Sequence, residues 1–283
     1  MPSLTLLGQS LVSGLLTGGL YGLLALGLSL GWGLLRVVNL GHFALAFLGA
    51  YLTYQLGTGL GFAPWLSVLL ILPLFFAVGV GFQILFAYFR VAEFTSLLVT
   101  FGITVIAESM IQWFWTADFR RYETAYTSAS TRIGPLFVPT LDLLGCLTAA
   151  ALSVATWAWL TFTYVGKALR ASAEDPAIAA AFGVNHRVQS CLLSGVSAAL
   201  AGVAGGYIAL ISTLAPGQMW AWLGVVFAVV IIGGVANPVG ALLAGLLIGT
   251  SESLTMAVVT PAWAPLVSFS VLILILIARP GRT

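Results

Sequence analysis

Long stretches almost free of charge are the feature that most limits what this chain can become. Nine apolar runs follow one another, at Leu4–Leu35, Leu40–Leu56, Pro64–Phe89, Phe94–Trp115, Leu141–Val165, Val188–Thr213, Trp222–Val235, Gly240–Val258 and Trp263–Ala278. A bilayer's hydrocarbon core is about 30 Å thick, and a helix rising about 1.5 Å per residue needs about 20 apolar residues to cross it. A helix is also the one single-segment structure that satisfies its own backbone in lipid. The fold class that follows is all-α: a polytopic transmembrane helical bundle of about eight or nine membrane segments, forming a single domain over residues 1–283. Composition agrees, because 60% of the residues are hydrophobic and only 6% are Asp, Glu, Lys or Arg. A soluble domain carries about 25% charged residues. The net charge of +2 and the lack of any basic run exclude a nucleic-acid partner and leave the lipid bilayer as the medium.

No Lys or Arg precedes Arg36, so the basic segment of a signal peptide is missing, and the first run is too long for a signal's apolar core. It is expected to remain as a span. The seventh and eighth runs meet at GGVANPVG, residues 233–240, where Gly and Pro stop a helix. These two runs are either full spans or a pair of half-helices that dip in and return. Alternating spans place Arg36, Arg90, Lys167, Arg170, Arg187, Arg279 and Arg282 on one side and Arg120, Arg121 and Arg132 on the other. The positive-inside rule then sets the N-terminus outside and the C-terminus in the cytoplasm. The polar, aromatic 116–140 segment becomes an outer loop, either plainly solvated or touching an outside partner. Gly14–Gly18–Gly22, Gly27–Gly31 and Gly202–Gly206 have the small-xxx-small spacing of closely packed membrane helices.

Several chemistries are excluded by motif. Lys167 is followed by Ala168 rather than Ser or Thr, so the chain has no phosphate-binding loop. His42 and His186 are far apart and give no metal-ligand spacing. No nucleophile or zinc-protease signature is present, and no catalytic residue is assigned. Cys146 and Cys191 sit in apolar runs and read as small buried hydrophobes that do not pair.

Polar groups inside the spans are few. Glu108 and Glu252 fall within apolar runs, and Gln112 shares the Glu108 face one turn on. Ionisable groups at membrane depth are costly and face a polar interior or a partner. In RVVNLGHF, Asn39 and His42 share a face at the start of the second span. These five are candidates for a translocation path; the alternative is that Asn39 caps a helix and the others bond to neighbours.

Charge gathers in one place. Lys167, Arg170, Glu174, Asp175, His186 and Arg187 all fall within residues 167–187. Asp175–Pro176 is a helix start, with an N-cap followed by Pro at the first helical position, and Gly183 is placed to end the helix in a left-handed conformation. The spacing predicts a helix of about seven residues over 176–182. Ile178 and Phe182 then share one side. A short cytoplasmic helix showing two large apolar side chains, rimmed by charge, fits a groove on a soluble partner.

At these residues the sequence resembles the permease family of ABC importers for branched-chain amino acids, of the LivH type. RVVNLGHFALAFLGAY, YVGKALRASAEDPAIAAAFGVN and AVVIIGGVANPVGALLAGLLIGTSESL match family elements in order, although Gly41 and Phe43 depart from the usual residues. The resemblance implies a bacterial inner-membrane permease paired with a second homologous permease or a copy of itself. It implies two cytoplasmic ATP-binding subunits and a periplasmic substrate-binding protein. ATP and Mg would be used by the ATPases, with no cofactor bound by this chain. The 166–187 loop, with Arg170, Glu174, Asp175, Ile178, Phe182, Gly183 and Arg187, becomes the segment that docks on the ATPase. Relatives in this family also carry urea, short amides and aromatic acids. An ion-coupled secondary transporter is the competing class; it needs coupling groups at the midplane, and only Glu108 and Glu252 offer themselves.

Overall fold

The computed structural model describes residues 3–278 apart from Arg90, Ala125 and Ser128 and the side chain of Ile133. Arg90, Arg279 and Arg282, used above for orientation, lie outside the described residues. The element order is α1 (Leu4–Leu35), α2 (Gly41–Leu60), α3 (Pro64–Tyr88), α4 (Glu93–Trp115), strands β1 (Ser130–Ile133) and β2 (Leu136–Pro139), α5 (Thr140–Phe162), α6 (Tyr164–Glu174), α7 (Pro176–Ala181), α8 (His186–Ile211), α9 (Met219–Gly233), α10 (Pro238–Val258) and α11 (Ala264–Ala278). Among the described residues eight segments are long and apolar enough to cross a membrane, and α2 is not among them. The seventh and eighth apolar runs are separate helices, each of spanning length once the 3-10 turn Pro216–Gln218 is counted with α9.

Helices α1 and α8 form the centre. Residues Gly14, Gly18 and Gly22 lay α1 antiparallel against α10. A Cβ on Gly14 would come 2.7 Å from Gly249 O and one on Gly18 2.7 Å from Leu246 Cα, so only hydrogen fits there. This is the small-residue seam that the spacing predicted. The other glycine patterns meet different neighbours: Gly27 abuts His42 and Ser197, and Gly202 faces the Phe75 ring. The peripheral α3, α4 and α11 leave Leu69, Leu74, Leu98, Trp113, Leu266 and Ile277 exposed, as lipid-facing helices do.

Contacts between the connections sort them onto two ends. Gln9 near the start of α1 donates to Phe137 O at 2.8 Å, and Arg120 and Leu214 exchange backbone hydrogen bonds at 2.9 and 2.7 Å. The 116–139 segment, which ends in the β1–β2 hairpin, thus lies at the end where α1 begins. Tyr122 there is buried under Tyr54, and burial raises its hydroxyl pKa. At the opposite end the Arg36 guanidinium donates to Ala173 O at 3.1 Å, tying the end of α1 to α6.

One segment departs from simple spans. After α1 the chain runs without helix over Arg36–Leu40 and re-enters the bundle before α2 begins. Leu40 N donates to Thr100 Oγ1 at 3.0 Å, seven residues into α4, and His42 Nε2 donates to Leu24 O at 3.0 Å, eleven residues before the end of α1. At 1.5 Å per residue these positions are roughly 10 and 16 Å from the respective helix ends. Non-helical backbone at this depth persists only where protein surrounds it, and Leu40 is buried.

Candidate functional site

The charged stretch forms a compact helical corner. The fifth apolar run extends to Val165, and the residues after it are expected as a loop. Instead α5 stops at Phe162, and Thr163 turns the chain and caps α6, its Oγ1 accepting from Gly166 N at 3.1 Å. A side chain at Gly166 would overlap the Trp159 and Leu160 backbone, so glycine closes this corner. The one-turn α7 follows. Asp175 Oδ1 accepts from Ala177 N at 2.9 Å and Ile178 N at 3.0 Å, with Pro176 at the first helical position, as expected.

The end of α7 differs slightly from expectation. The helix stops at Ala181, and Phe182 is its C-cap rather than a helical residue. Gly183 takes φ +84°. Val184 N bonds to Ala179 O at 3.1 Å and Gly183 N to Ala180 O at 2.9 Å. This is a Schellman ending, which a left-handed glycine makes possible. Ile178 stays 58% exposed and Phe182 82% exposed. A notch of about 500 Å³ between α6 and α7 is lined by Tyr164, Lys167, Glu174, Asp175, Ile178 and Phe182. Arg170 turns back to Thr161 Oγ1 at 3.5 Å, and Arg187 stands on the first turn of α8.

The five polar residues of the spans fall into three groups with no shared hydrogen-bond partner. Glu108 accepts from Trp220 Nε1 at 2.8 Å and from Gln112 Nε2 at 3.4 Å, joining α4 to the first turn of α9. Glu252, 6% exposed, accepts from Tyr21 OH at 2.9 Å and from the Ser268 hydroxyl, joining α10 to α1 and α11. His42 is 1% exposed and bonded, while Asn39 Oδ1 is buried without a partner. Asn39 is not a side-chain cap: Leu40 holds the N-cap position of α2 and no side chain bonds there. The residues missed by sequence reasoning are Tyr21, Trp220 and Ser268. They lie 231, 112 and 16 residues from the carboxylates they bond; only a hydroxyl inside an apolar run hinted at Ser268.

Below Asn39 and His42 a crevice opens at the α6–α7 end. Its mouth is a cavity of about 420 Å³ between the end of α1, the end of α3 and the start of α8. Leu35, Val37, Gln83 and Phe86 line both this mouth and a deeper void of about 10 Å³ reaching His42, Ser194 and Ser197. That deeper space holds about one water, so the crevice is closed to a solute above Gln83. The two cysteines are free. No group of three His, Cys, Asp or Glu able to hold a metal occurs among the described residues.

Comparison with known proteins places this architecture. No solved structure matches the chain. The high-affinity branched-chain amino acid transport system permease protein BraD of Pseudomonas aeruginosa is 24% identical, over 99% of this chain and 96% of its own. The corresponding permease protein LivH of Salmonella typhimurium is 23% identical over 96% of this chain and 93% of its own. A probable branched-chain amino acid transport permease protein LivH of Methanocaldococcus jannaschii is 32% identical over 82% of this chain and 76% of its own. A family profile described as branched-chain amino acid transport system / permease component matches residues 10–276, and the chain, a multi-pass membrane protein, belongs to that family.

Proposed function

We propose that this chain is one permease half of an ATP-driven importer for branched-chain amino acids or a related small solute such as urea, a short amide or an aromatic acid. The observation that carries the ATP-driven reading is the α6–α7 corner: capped at both ends, tied to α1 through Arg36, and presenting Ile178 and Phe182 to solvent. Such a patch fits a groove on a soluble subunit. With no phosphate-binding loop of its own, the chain takes its energy from partner subunits. Two cytoplasmic ATPases dock on this corner and on its counterpart in a second permease. Glu174 and Asp175 rim the contact, with Arg170 and Arg187 at its flanks, and Gly183 shapes the turn that presents Phe182. A periplasmic binding protein delivers the solute at the opposite end, where the 116–140 loop lies. The seven-to-three distribution of basic residues supports a cytoplasmic α6–α7 end in the bacterial inner membrane.

Because the crevice inside this chain closes above Gln83, the solute passes once the two permeases and their ATPases change state together. Asn39 and His42 at the crevice end, the Glu108–Gln112 pair and Glu252 are the polar groups that shape that change. An ion-coupled carrier would instead bring ionisable groups to one site, and Glu108 and Glu252 belong to separate clusters. Reconstitution of the permease with its ATPase, second permease and binding protein in vesicles tests the reading. Uptake is expected to require ATP and to be indifferent to an imposed proton or sodium gradient; gradient-driven uptake without ATP would refute it.

A further inference from the structure

We propose that the cavity at the mouth of the crevice binds the headgroup of an anionic phospholipid from the leaflet at the α6–α7 end. The cavity has two kinds of wall. The α8 side carries Arg187, His186 and Ser190; the side formed by the ends of α1 and α3 carries Leu35, Ile84, Ala87 and Val91, with the Gln83 amide one turn before Ala87. Among the described residues no carboxylate lines it. It lies where α3 ends and α8 begins, at the level where hydrocarbon gives way to headgroups, and α3 is among the least enclosed spans, with 17% of its apolar window buried. Ile84 on its rim is 55% exposed. A cavity of about 420 Å³ that is basic on one side and apolar on the other matches a ligand with an anionic phosphodiester and attached acyl chains.

Each wall has a role in this assignment. The Arg187 guanidinium takes the phosphate through charge-assisted hydrogen bonds. Ser190 Oγ lies 2.8 Å from His186 O and 3.3 Å from His186 Nε2, which holds the imidazole at the polar rim. Gln83 lies five residues before the end of α3, about 8 Å deeper, and its amide is placed for the ester groups below the phosphate. The apolar wall takes the first methylenes. A free phosphate would meet the same Arg187 but would leave that wall wet. Arg187 follows α7 by way of Gly183–Asn185, so a lipid held here braces the first turn of α8 directly behind the corner. The assignment rests on the cavity and on the chain spanning a bilayer, and does not depend on what is transported.

The test is native mass spectrometry of the purified permease in detergent, with equimolar phosphatidylglycerol and phosphatidylcholine of identical chains. One basic side chain near a membrane surface contributes about 1 kcal/mol toward an anionic lipid, about fivefold in affinity. The wild type is expected to retain phosphatidylglycerol at least about fivefold over phosphatidylcholine. Arg187→Gln should abolish most of that preference and Arg187→Lys should keep part of it. Because Arg187 is exposed, neither change should unfold the chain. Arg170→Gln removes a cation at the same end outside this cavity and should leave the preference intact. A parallel melting series compares phosphatidylglycerol with inorganic phosphate at equal phosphate concentration; only the lipid is expected to raise the melting temperature. Equal retention of the two lipids, an unchanged preference in Arg187→Gln, an equal loss in Arg170→Gln, or matching stabilisation by inorganic phosphate would each overturn the proposal.

Discussion

Replacing Ile178 and Phe182 together by alanine isolates the docking corner from the rest of the molecule. Both side chains already face solvent, with 58% and 82% of their surface exposed, and neither belongs to a span. Folding and insertion should therefore be unaffected. Full burial of a large apolar side chain contributes about 1.5–3 kcal/mol. Scaled by the exposed fractions, the pair stands to contribute about 3 kcal/mol when a partner covers it, equivalent to roughly a hundredfold in affinity. The assay is microscale titration of the ATPase subunit onto permease in nanodiscs, followed by ATP-driven uptake in vesicles. Affinity is expected to fall by about two orders of magnitude, and uptake with it. The flanking Arg170→Gln change should cost less and lose its effect at high salt. Unchanged affinity and transport in the double variant, with the protein inserted normally, would show that α7 is not the docking helix.

Three further outcomes follow from separate features. Asp175→Ala removes the acceptor for two backbone amides and should destabilise α7 by about 1 kcal/mol, seen as faster amide exchange at Ala177 and Ile178 with the spans unchanged. Gly18→Val or Gly245→Val forces a side chain into the α1–α10 seam, where no room exists for a Cβ; a loss of several kcal/mol in stability is expected, and wild-type melting would show that the seam is looser than described. Glu252→Gln keeps the shape and one acceptor toward Tyr21 and Ser268, whereas Glu108→Gln weakens the link to Trp220; if these groups shape the transport cycle, uptake falls while expression holds, and unchanged uptake in both would make them purely structural.

Much of this was legible because lipid imposes a strict rule on the backbone. Each of the nine apolar runs holds a helix, the fifth broken at Thr163, and the caps Asp175 and Gly183 act as their residue types require, since capping is a local matter. What escaped reading depended on distance or on backbone direction. The break at Thr163 has no Pro; it arises from a hydroxyl cap and a tight Gly166 corner, both quiet in sequence. Asn39 looked like a cap because capping residues commonly precede helices, yet the chain there is packed under Thr100, leaving its Oδ1 unpaired. Partners of the two carboxylates could not be read, since a lone hydroxyl or indole in an apolar run is common and nothing local says which helix it will meet.

The dipping segment before α2 bears on how this protein is made. Helix α2 is not apolar enough to count among the membrane-crossing segments, and its entry is stabilised by Leu24 in α1 and by Thr100, synthesised 60 residues after Leu40. Its first half leans on α8, where Gly205 meets the backbone of Ala46 and Ala50. A ribosome delivers these parts in order, so when α2 emerges only α1 is in place, and the groups from α4 and α8 do not yet exist. Its integration must therefore wait at the translocon for α4 and be completed only after α8, which makes insertion of the first half of the chain an event in the synthesis of the second. Nascent chains halted before Thr100 should expose α2 to glycosylation or protease at a flanking tag, and chains extended past Ile211 should protect it; protection in the shorter chains would show that α2 enters the bilayer unaided.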